Sequence, residues 1–396
     1  MIQRTLKRYL KRDSGYYPVL TLTGPRQSGK TTLARDAFPE HEYVSLEELD
    51  NRAFALEDPR GFLRRYGDAV IIDEIQRAPG LLSYIQSLVD RNPAPGRFIL
   101  TGSQNLLLME RVSQSLAGRS AVFHLLPFEL AELEGRIRSE QVRHDTLFRD
   151  SSSTPDPWEA LYRGYYPRIH DKNIPPEIWL GDYVRTYVER DVRTLTNIGD
   201  LASFERFLTL TAGRTGQILN YSALASDCGI ALDTAKRWLS LLITSFLVFL
   251  LPPHHRNFNK RVIKSPKLFF YDTGLACRLL GVKSAEQART HPMRGALFEN
   301  LVIAECMKVF VHQRQSPPLY YWRDQTGHEL DLIVEEEDAL YATEIKSGQT
   351  VSGDMFNTLR WWSTHTGLDP ETTTLVYGGD RSFSREGIRV FPWSAV

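Results

Sequence analysis

Gly24-Pro25-Arg26-Gln27-Ser28-Gly29-Lys30-Thr31-Thr32 is the stretch on which the N-terminal fold turns. It meets the pattern G-x-x-x-x-G-K-[ST] without exception. Gly24 and Gly29 let the backbone curl so that, past Pro25, the N–H groups of Arg26, Gln27, Ser28 and the residues beyond point at phosphate oxygens. Lys30 then reaches the β and γ phosphates, and the Thr31 hydroxyl is placed to coordinate Mg²⁺. Val19-Leu20-Thr21-Leu22-Thr23 before it reads as a buried strand, and residues 32–38 after it read as a helix. Strand, phosphate loop, helix is the order that gives the motif its meaning, with the helix N-terminus adding its dipole to the same anion. The expected ligand set for ATP is therefore residues 24 to 32.

Working outward, Val70-Ile71-Ile72-Asp73-Glu74 is a second buried strand that delivers two carboxylates at its C-terminal end, where open α/β sheets bind ligands. Asp73 is expected to hold Mg²⁺ through a water, and Glu74 to act as the general base on the attacking water. A third strand ends in Thr101-Gly102-Ser103-Gln104-Asn105, whose polar side chains would face the γ-phosphate. Short apolar runs at 43–46, 69–72 and 97–101 alternate with helical stretches such as 81–89, a pattern that predicts a parallel sheet covered on both faces. Arg119, in Ala117-Gly118-Arg119, is a candidate arginine finger for the site of an adjacent subunit.

The 396 residues are two to three times a typical domain, so two or three cores are expected. With 42% hydrophobic and 24% charged residues the composition is globular, and 48 basic residues balance 48 acidic ones. That neutrality excludes a bulk electrostatic coat for nucleic acid, though not a local basic patch. Cys228, Cys277 and Cys306 have neither zinc-site nor disulfide-framework spacing and are expected to be reduced. No run approaches the roughly 20 apolar residues of a membrane span. Residues 1–12 form a basic amphipathic helical pattern with solvated charges and no secretory signal, so a cytoplasmic protein without a membrane partner is expected.

Asp150-Ser151-Ser152-Ser153-Thr154-Pro155-Asp156-Pro157 marks a boundary. The expected organisation is a P-loop ATPase domain over 1–150, a helical region over 151–210, a winged-helix-like segment over 211–255 and an α/β domain over 256–396. In the helical region Trp179, Tyr183 and Tyr187 recur every four residues as a core stripe. Residues 221–248 read as two helices turning at Gly229, the second capped by Asp233. Thr234, Lys236 and Arg237 then stand where a DNA-reading helix meets a major groove, although such a module also serves protein contacts. Near the C-terminus Asp331 lies on one strand and Glu344 and Lys346 share one face of the next. Joined by Glu299 on a preceding helix, they could bind Mg²⁺ and stabilise charge during phosphodiester hydrolysis, or could be ordinary paired strand residues.

The phosphate loop, Ile71-Ile72-Asp73-Glu74-Ile75-Gln76, Leu100-Thr101-Gly102-Ser103, Ala117-Gly118-Arg119 and Leu126-Pro127-Phe128, in that order, resemble prokaryotic AAA-type ATP-binding proteins carrying the C-terminal domain of unknown function 4143. Arg163-Gly164-Tyr165-Tyr166-Pro167 and Tyr187-Val188-Glu189-Arg190-Asp191 look like that family's middle region. The resemblance implies an ATPase core, a winged helix and a nuclease-like last domain. Glu299, Asp331, Glu344 and Lys346 are similar in arrangement to the PD-(D/E)XK nuclease superfamily, archaeal Holliday-junction resolvases in particular, with Leu330 where the motif's proline would stand. Taken together, these readings describe an Mg²⁺-dependent ATPase acting on a nuclease-like module that meets branched or duplex DNA, with a homo-oligomer as a further expectation. The alternative is an ATP switch whose last domain binds a partner protein.

Overall fold

A computed structural model of the chain describes residues 2–66, 68–102, 115–138, 141–149, 154–187, 201–254, 265–324, 326–337 and 339–396. The five N-terminal strands, β1 (Val19–Thr23), β2 (Glu42–Ser45), β3 (Val70–Asp73), β4 (Phe98–Thr101) and β5 (Ser120–His124), form one parallel sheet in the order β2-β3-β4-β1-β5. Alternation sends Leu20, Leu22, Ile71 and Ile99 to one face, where α1 (Leu6–Asp13) and α2 (Lys30–Ala37) pack with Leu6, Leu10, Leu33 and Ala34. Val19, Val70, Ile72, Phe98 and Leu100 face the other side. Following α3 (Leu49–Glu57), α4 (Pro59–Tyr66) and α5 (Leu81–Arg91) cover it with Phe62, Leu63, Leu82 and Ile85. Because every strand runs the same way, the ends of β1, β3 and β4 meet at one edge. This sheet places the phosphate loop.

After the single helical turns Leu130–Leu133 and His144–Leu147, the described residues form α6 (Pro157–Arg163), α7 (Pro167–Asp171), α8 (Pro176–Tyr187), α9 (Leu201–Ala212) and α10 (Tyr221–Cys228). The expected stripe is core: the Trp179 and Tyr183 rings stack at 5.2 Å, and the Tyr166 hydroxyl donates to that of Tyr183 at 3.0 Å. The side chain of Tyr187 lies outside the described residues. α10 is capped by the Asn220 side chain, which accepts from the Ala223 N–H at 3.0 Å, and turns at Gly229 with φ +69° into α11 (Leu232–Thr244). Ala231 rather than Asp233 occupies the cap position of α11. Asp233 sits in the first turn, where its charge still favours the positive helix end. The antiparallel pair β6 (Val248–Leu251) and β7 (Lys267–Phe270) comes next, then α12 (Thr273–Leu279).

α13 (Arg294–His312) is buried on nearly every side, as a helix with apolar residues all round requires. Behind it stands a six-stranded sheet of β8 (Leu319–Arg323), β9 (Glu329–Glu336), β10 (Ala339–Lys346), β11 (Thr373–Tyr377), β12 (Phe383–Arg385) and β13 (Ile388–Pro392), in the order β12-β13-β11-β10-β9-β8. β8, β9 and β10 form an antiparallel meander, and β11 lies parallel to β10. α14 (Asn357–Thr366) seals the far face with Leu359 and Trp362 against Leu330, Ile333, Ala342 and Leu375. On the near face Leu332, Val334, Ile345 and Val376 join α13 and the middle helices in one continuous core. All three cysteines are buried free thiols, and among the described residues no helix is long and apolar enough to cross a membrane.

Candidate functional site

The phosphate loop is fixed by close backbone contact. Gly24 adopts φ +147°, and a Cβ there would lie 2.2 Å from the Leu125 carbonyl oxygen, so any side chain would push the loop off β5. Gly29 starts α2 from φ +92°, a left-handed conformation that glycine adopts without strain. The Ser28 hydroxyl donates to the Pro25 carbonyl at 3.0 Å and ties the loop across itself. Lys30 is buried and donates to the Gly24 and Pro25 carbonyls at 3.1 and 2.7 Å. Its ammonium is thus parked on the loop's own oxygens, within reach of where a phosphate would sit.

Asp73, at the end of β3, collects three hydroxyl donors. Thr31 and Tyr43 each donate to Oδ2 at 2.9 Å, and Thr101 donates to Oδ1. Burial and the Asp73 carboxylate push the Tyr43 phenol up to about 12. A carboxylate beside the hydroxyl that follows the loop lysine is an oxygen donor set that suits Mg²⁺. Glu74 follows in the left-handed region at φ 57° and accepts from the Gln76 side-chain amide. Burial raises its carboxyl above the usual value, and the Lys30 charge draws it back. Around these groups is a cavity of about 780 Å³, lined by Arg26 to Leu33, Glu47 and Glu74, within the size range of nucleotide-scale ligand sites.

Residues that the sequence does not advertise also line this cavity. Arg168 and Lys172 arrive from α7 and its C-terminal end, and Phe128 follows β5. Arg4, expected to be solvated with the other N-terminal charges, is buried: it donates to the Ser28 carbonyl at 3.0 Å and the Leu126 carbonyl at 2.7 Å, and pairs with Glu132 at 3.0 Å. Arg119 stands apart from this cavity. It precedes β5, its carbonyl accepting from the N–H of Val19 at the start of β1, so it lies at the sheet edge opposite the phosphate loop and pairs with Asp90 at 3.1 Å. Ser103, Gln104 and Asn105 lie outside the described residues.

A second cluster gathers in the last domain. The Ile345 N–H donates to Asp331 Oδ2 at 2.8 Å, which sets Asp331 of β9 beside Glu344 of β10, and Lys346 pairs with Glu344. Glu299 of α13 shares the same field: burial, then the Asp331 carboxylate, push it up to about 8. Glu344 is likewise pushed up to about 8 by burial and Asp331, and burial raises Asp331 itself. Glu344 Oε2 is buried with no hydrogen-bond partner among the described residues, which leaves an oxygen that could serve as a cation ligand. Thus the structure brings Glu299, Asp331, Glu344 and Lys346 together. It adds two residues unmarked by the motif, Glu329 and Lys267, whose ammonium lies 2.9 Å from Glu299 and 2.5 Å from Glu329. Lys236 and Arg237 are exposed on α11, Lys236 being 3.9 Å from Asp233, with Thr234 half-buried before them.

Between the two sites runs a buried polar network. Along α13, Glu305 accepts from the Leu130 N–H at 2.8 Å, and Lys308 donates to the Phe128 carbonyl at 2.7 Å and pairs with Glu305. His312 accepts the Leu126 N–H on Nε2 at 3.0 Å, so its proton sits on Nδ1 and is donated to Glu129 Oε1 at 2.6 Å. Glu129, Glu132 and His312 lie close enough to hold an ion. Their atoms are nevertheless taken by protein donors: Glu132 accepts from the N–H groups of Thr5 at 2.7 Å and Glu129 at 3.1 Å. The trio is a hydrogen-bonded brace.

Three family descriptions match successive parts of the chain: an AAA domain over residues 16–134, a domain of unknown function (DUF8612) over 154–286, and a domain of unknown function (DUF4143) over 294–396. With the parallel sheet and the loop-bound Asp73, the first of these makes the N-terminal part an AAA-type P-loop ATPase-like domain, a class that implies nucleotide binding. Uncharacterized proteins of Mycobacterium tuberculosis (strain H37Rv) and Mycobacterium bovis are 34% identical to the chain over 378 residues, which is 94% of this chain and 79% of each relative. The chain belongs to the family of these mycobacterial proteins. Among solved structures it is similar to a Walker-type ATPase of Pyrococcus abyssi, at 17% identity and TM-score 0.41 over 70% of this chain and 96% of that one. A RuvB variant of Thermotoga maritima is similar at 21% identity and TM-score 0.29, over 62% and 86%.

Proposed function

We propose that the chain binds and hydrolyses ATP with Mg²⁺ at the phosphate loop, and that its nucleotide state controls a nuclease-like C-terminal module acting on DNA. One observation carries this reading: α13 holds Glu299 in the carboxylate cluster and, thirteen residues on, His312 in the brace behind the phosphate loop. At 1.5 Å per residue the helix spans about 20 Å between those side chains. A displacement of Leu126 or Phe128 by bound nucleotide therefore has a stiff, buried lever to the second site.

At the first site Lys30 leaves the loop carbonyls for the β and γ phosphates, and the loop N–H groups orient the chain of phosphates. Mg²⁺, held by Thr31 and through water by Asp73, would neutralise charge on the phosphate oxygens. Glu74 polarises the attacking water, its raised carboxyl affinity for protons matching that task. At the second site Glu299, Asp331 and Glu344 fit a divalent cation, and Lys346 would stabilise charge on a phosphodiester. The helix pair α10–α11 with the β6–β7 hairpin is proposed as a winged-helix-like contact for the same DNA. Turnover assays test the first half: Lys30→Ala abolishes ATP binding, while Glu74→Gln binds ATP and hydrolyses it at least a hundredfold more slowly. Unchanged turnover in Glu74→Gln removes the hydrolytic assignment.

A further inference from the structure

Lys267 is 2% exposed, a state that lysine reaches only when its charge is matched. It belongs to β7, in the segment matched as 154–286, whereas the carboxylates that hold it come from the segment matched as 294–396. β7 pairs with β6, and the chain just after β6 bridges to Tyr321 on β8, so the hairpin is anchored on the last sheet beside this ammonium. The cluster's four carboxylates, Glu299, Glu329, Asp331 and Glu344, face two ammonium groups, Lys267 and Lys346. Arg323 also pairs with Glu329, at 3.1 Å, so the cluster keeps one carboxylate in excess of its cations, and Glu344 Oε2 is a buried oxygen with no hydrogen-bond partner among the described residues.

We propose that Lys267 is the resident counter-ion of this cluster: its ammonium occupies Glu299 and Glu329 until a divalent cation claims Glu299, and loading the site then loosens the tie between the β6–β7 hairpin and α13. The inference rests on the cation-binding reading of the cluster given above. A cation ligated by Glu299 competes with Lys267 for the same oxygen and is repelled by it in a poorly screened interior. A neutral side chain of equal length therefore raises cation affinity by at least about tenfold, given Coulomb energies at an effective dielectric near 20.

The test uses the full chain without nucleotide, titrated with Mn²⁺ and followed by the electron paramagnetic resonance of the free ion. Only binding that disappears in Asp331→Asn is counted. Lys267→Met is expected to bind Mn²⁺ at least tenfold more tightly than the native chain, and Lys267→Arg within threefold of it. Unchanged or weaker binding in Lys267→Met overturns the proposal and leaves Lys267 a packing residue. Absence of any Asp331-dependent binding in native chain and variant alike instead removes the cation site itself, and this inference with it. Hydrogen exchange of the native chain supplies a readout independent of the variant's folding. Amides of β7 are expected to exchange faster on adding Mn²⁺ and to be indifferent to it in Asp331→Asn, whereas β7 protection unmoved by Mn²⁺ in the native chain contradicts the exchange of cations.

Discussion

Replacing His312 with leucine tests the brace between the phosphate loop and α13. Leucine approximates the ring's volume, so the main loss is polar. The Leu126 N–H loses its acceptor, and the Glu129 carboxylate loses its 2.6 Å donor, both in positions closed to water. Each buried polar group left unsatisfied costs about 1–3 kcal/mol, giving about 2–6 kcal/mol for the pair. That loss falls on a local unit, because Leu126 also accepts from Arg4, and Arg4 holds the Ser28 carbonyl of the loop. Native-state hydrogen exchange over residues 123–134 is the suitable assay, since it reads local opening where a multi-domain chain has no single unfolding free energy. A 3 kcal/mol loss accelerates exchange there by roughly two orders of magnitude, and ATP affinity is expected to fall about five- to tenfold as the loop loses its support. Exchange accelerated less than about fivefold, or full acceleration with unaltered ATP affinity, would refute the brace.

Other expected outcomes follow from the same geometry. His144 stacks on Tyr341 at 3.5 Å and accepts from Arg389 at 2.9 Å; burial and that guanidinium lower it to about 3, and burial lowers His312 to about 3. Both folded values lie below the unfolded value of 6.5, so the unfolded chain takes up protons that the folded chain refuses, and stability is lost as pH falls from 6.5 toward 3. Each contributes up to about 1.4 kcal/mol per pH unit in that window. The midpoint of the urea transition that unfolds the last sheet is accordingly expected to depend less steeply on pH between 6.5 and 4 in His144→Phe; an unaltered dependence counts against a buried neutral His144. Arg119 can act only on another chain's nucleotide, so analytical sedimentation should show an ATP-dependent oligomer. A monomer with and without ATP excludes the finger.

The candidate nucleotide site was legible because its parts are contiguous. Gly24 to Thr32 and Asp73-Glu74 sit on apolar strand patterns that read directly, and the structure joins them through the Thr31–Asp73 hydrogen bond. Tyr43 and Arg4 were not legible as site residues, since nothing local marks a strand tyrosine or an N-terminal arginine as bound to Asp73 or Ser28. β5 escaped notice because Ser120 to His124 is a short edge strand with half-buried alternation, and β12 because its three residues are exposed. Glu299, Asp331, Glu344 and Lys346 were found by their spacing and resemblance. Lys267 was not, because it reaches them from a different part of the chain. One signal was available and missed: Glu305, Lys308 and His312 fall three and four apart in the mostly apolar second half of α13, the spacing of charged side chains that share a buried face.

Cleavage of nucleic acid is the most direct measurement of the proposed coupling. The full chain is incubated with Mg²⁺ or Mn²⁺ and branched, single-stranded or duplex DNA, with and without ATP, beside Lys346→Ala. The expected result is cleavage of a branched or duplex substrate whose rate changes with ATP and which Lys346→Ala abolishes. No cleavage of any substrate by either protein contradicts the nuclease-like role and leaves an ATP switch whose last domain binds a protein partner.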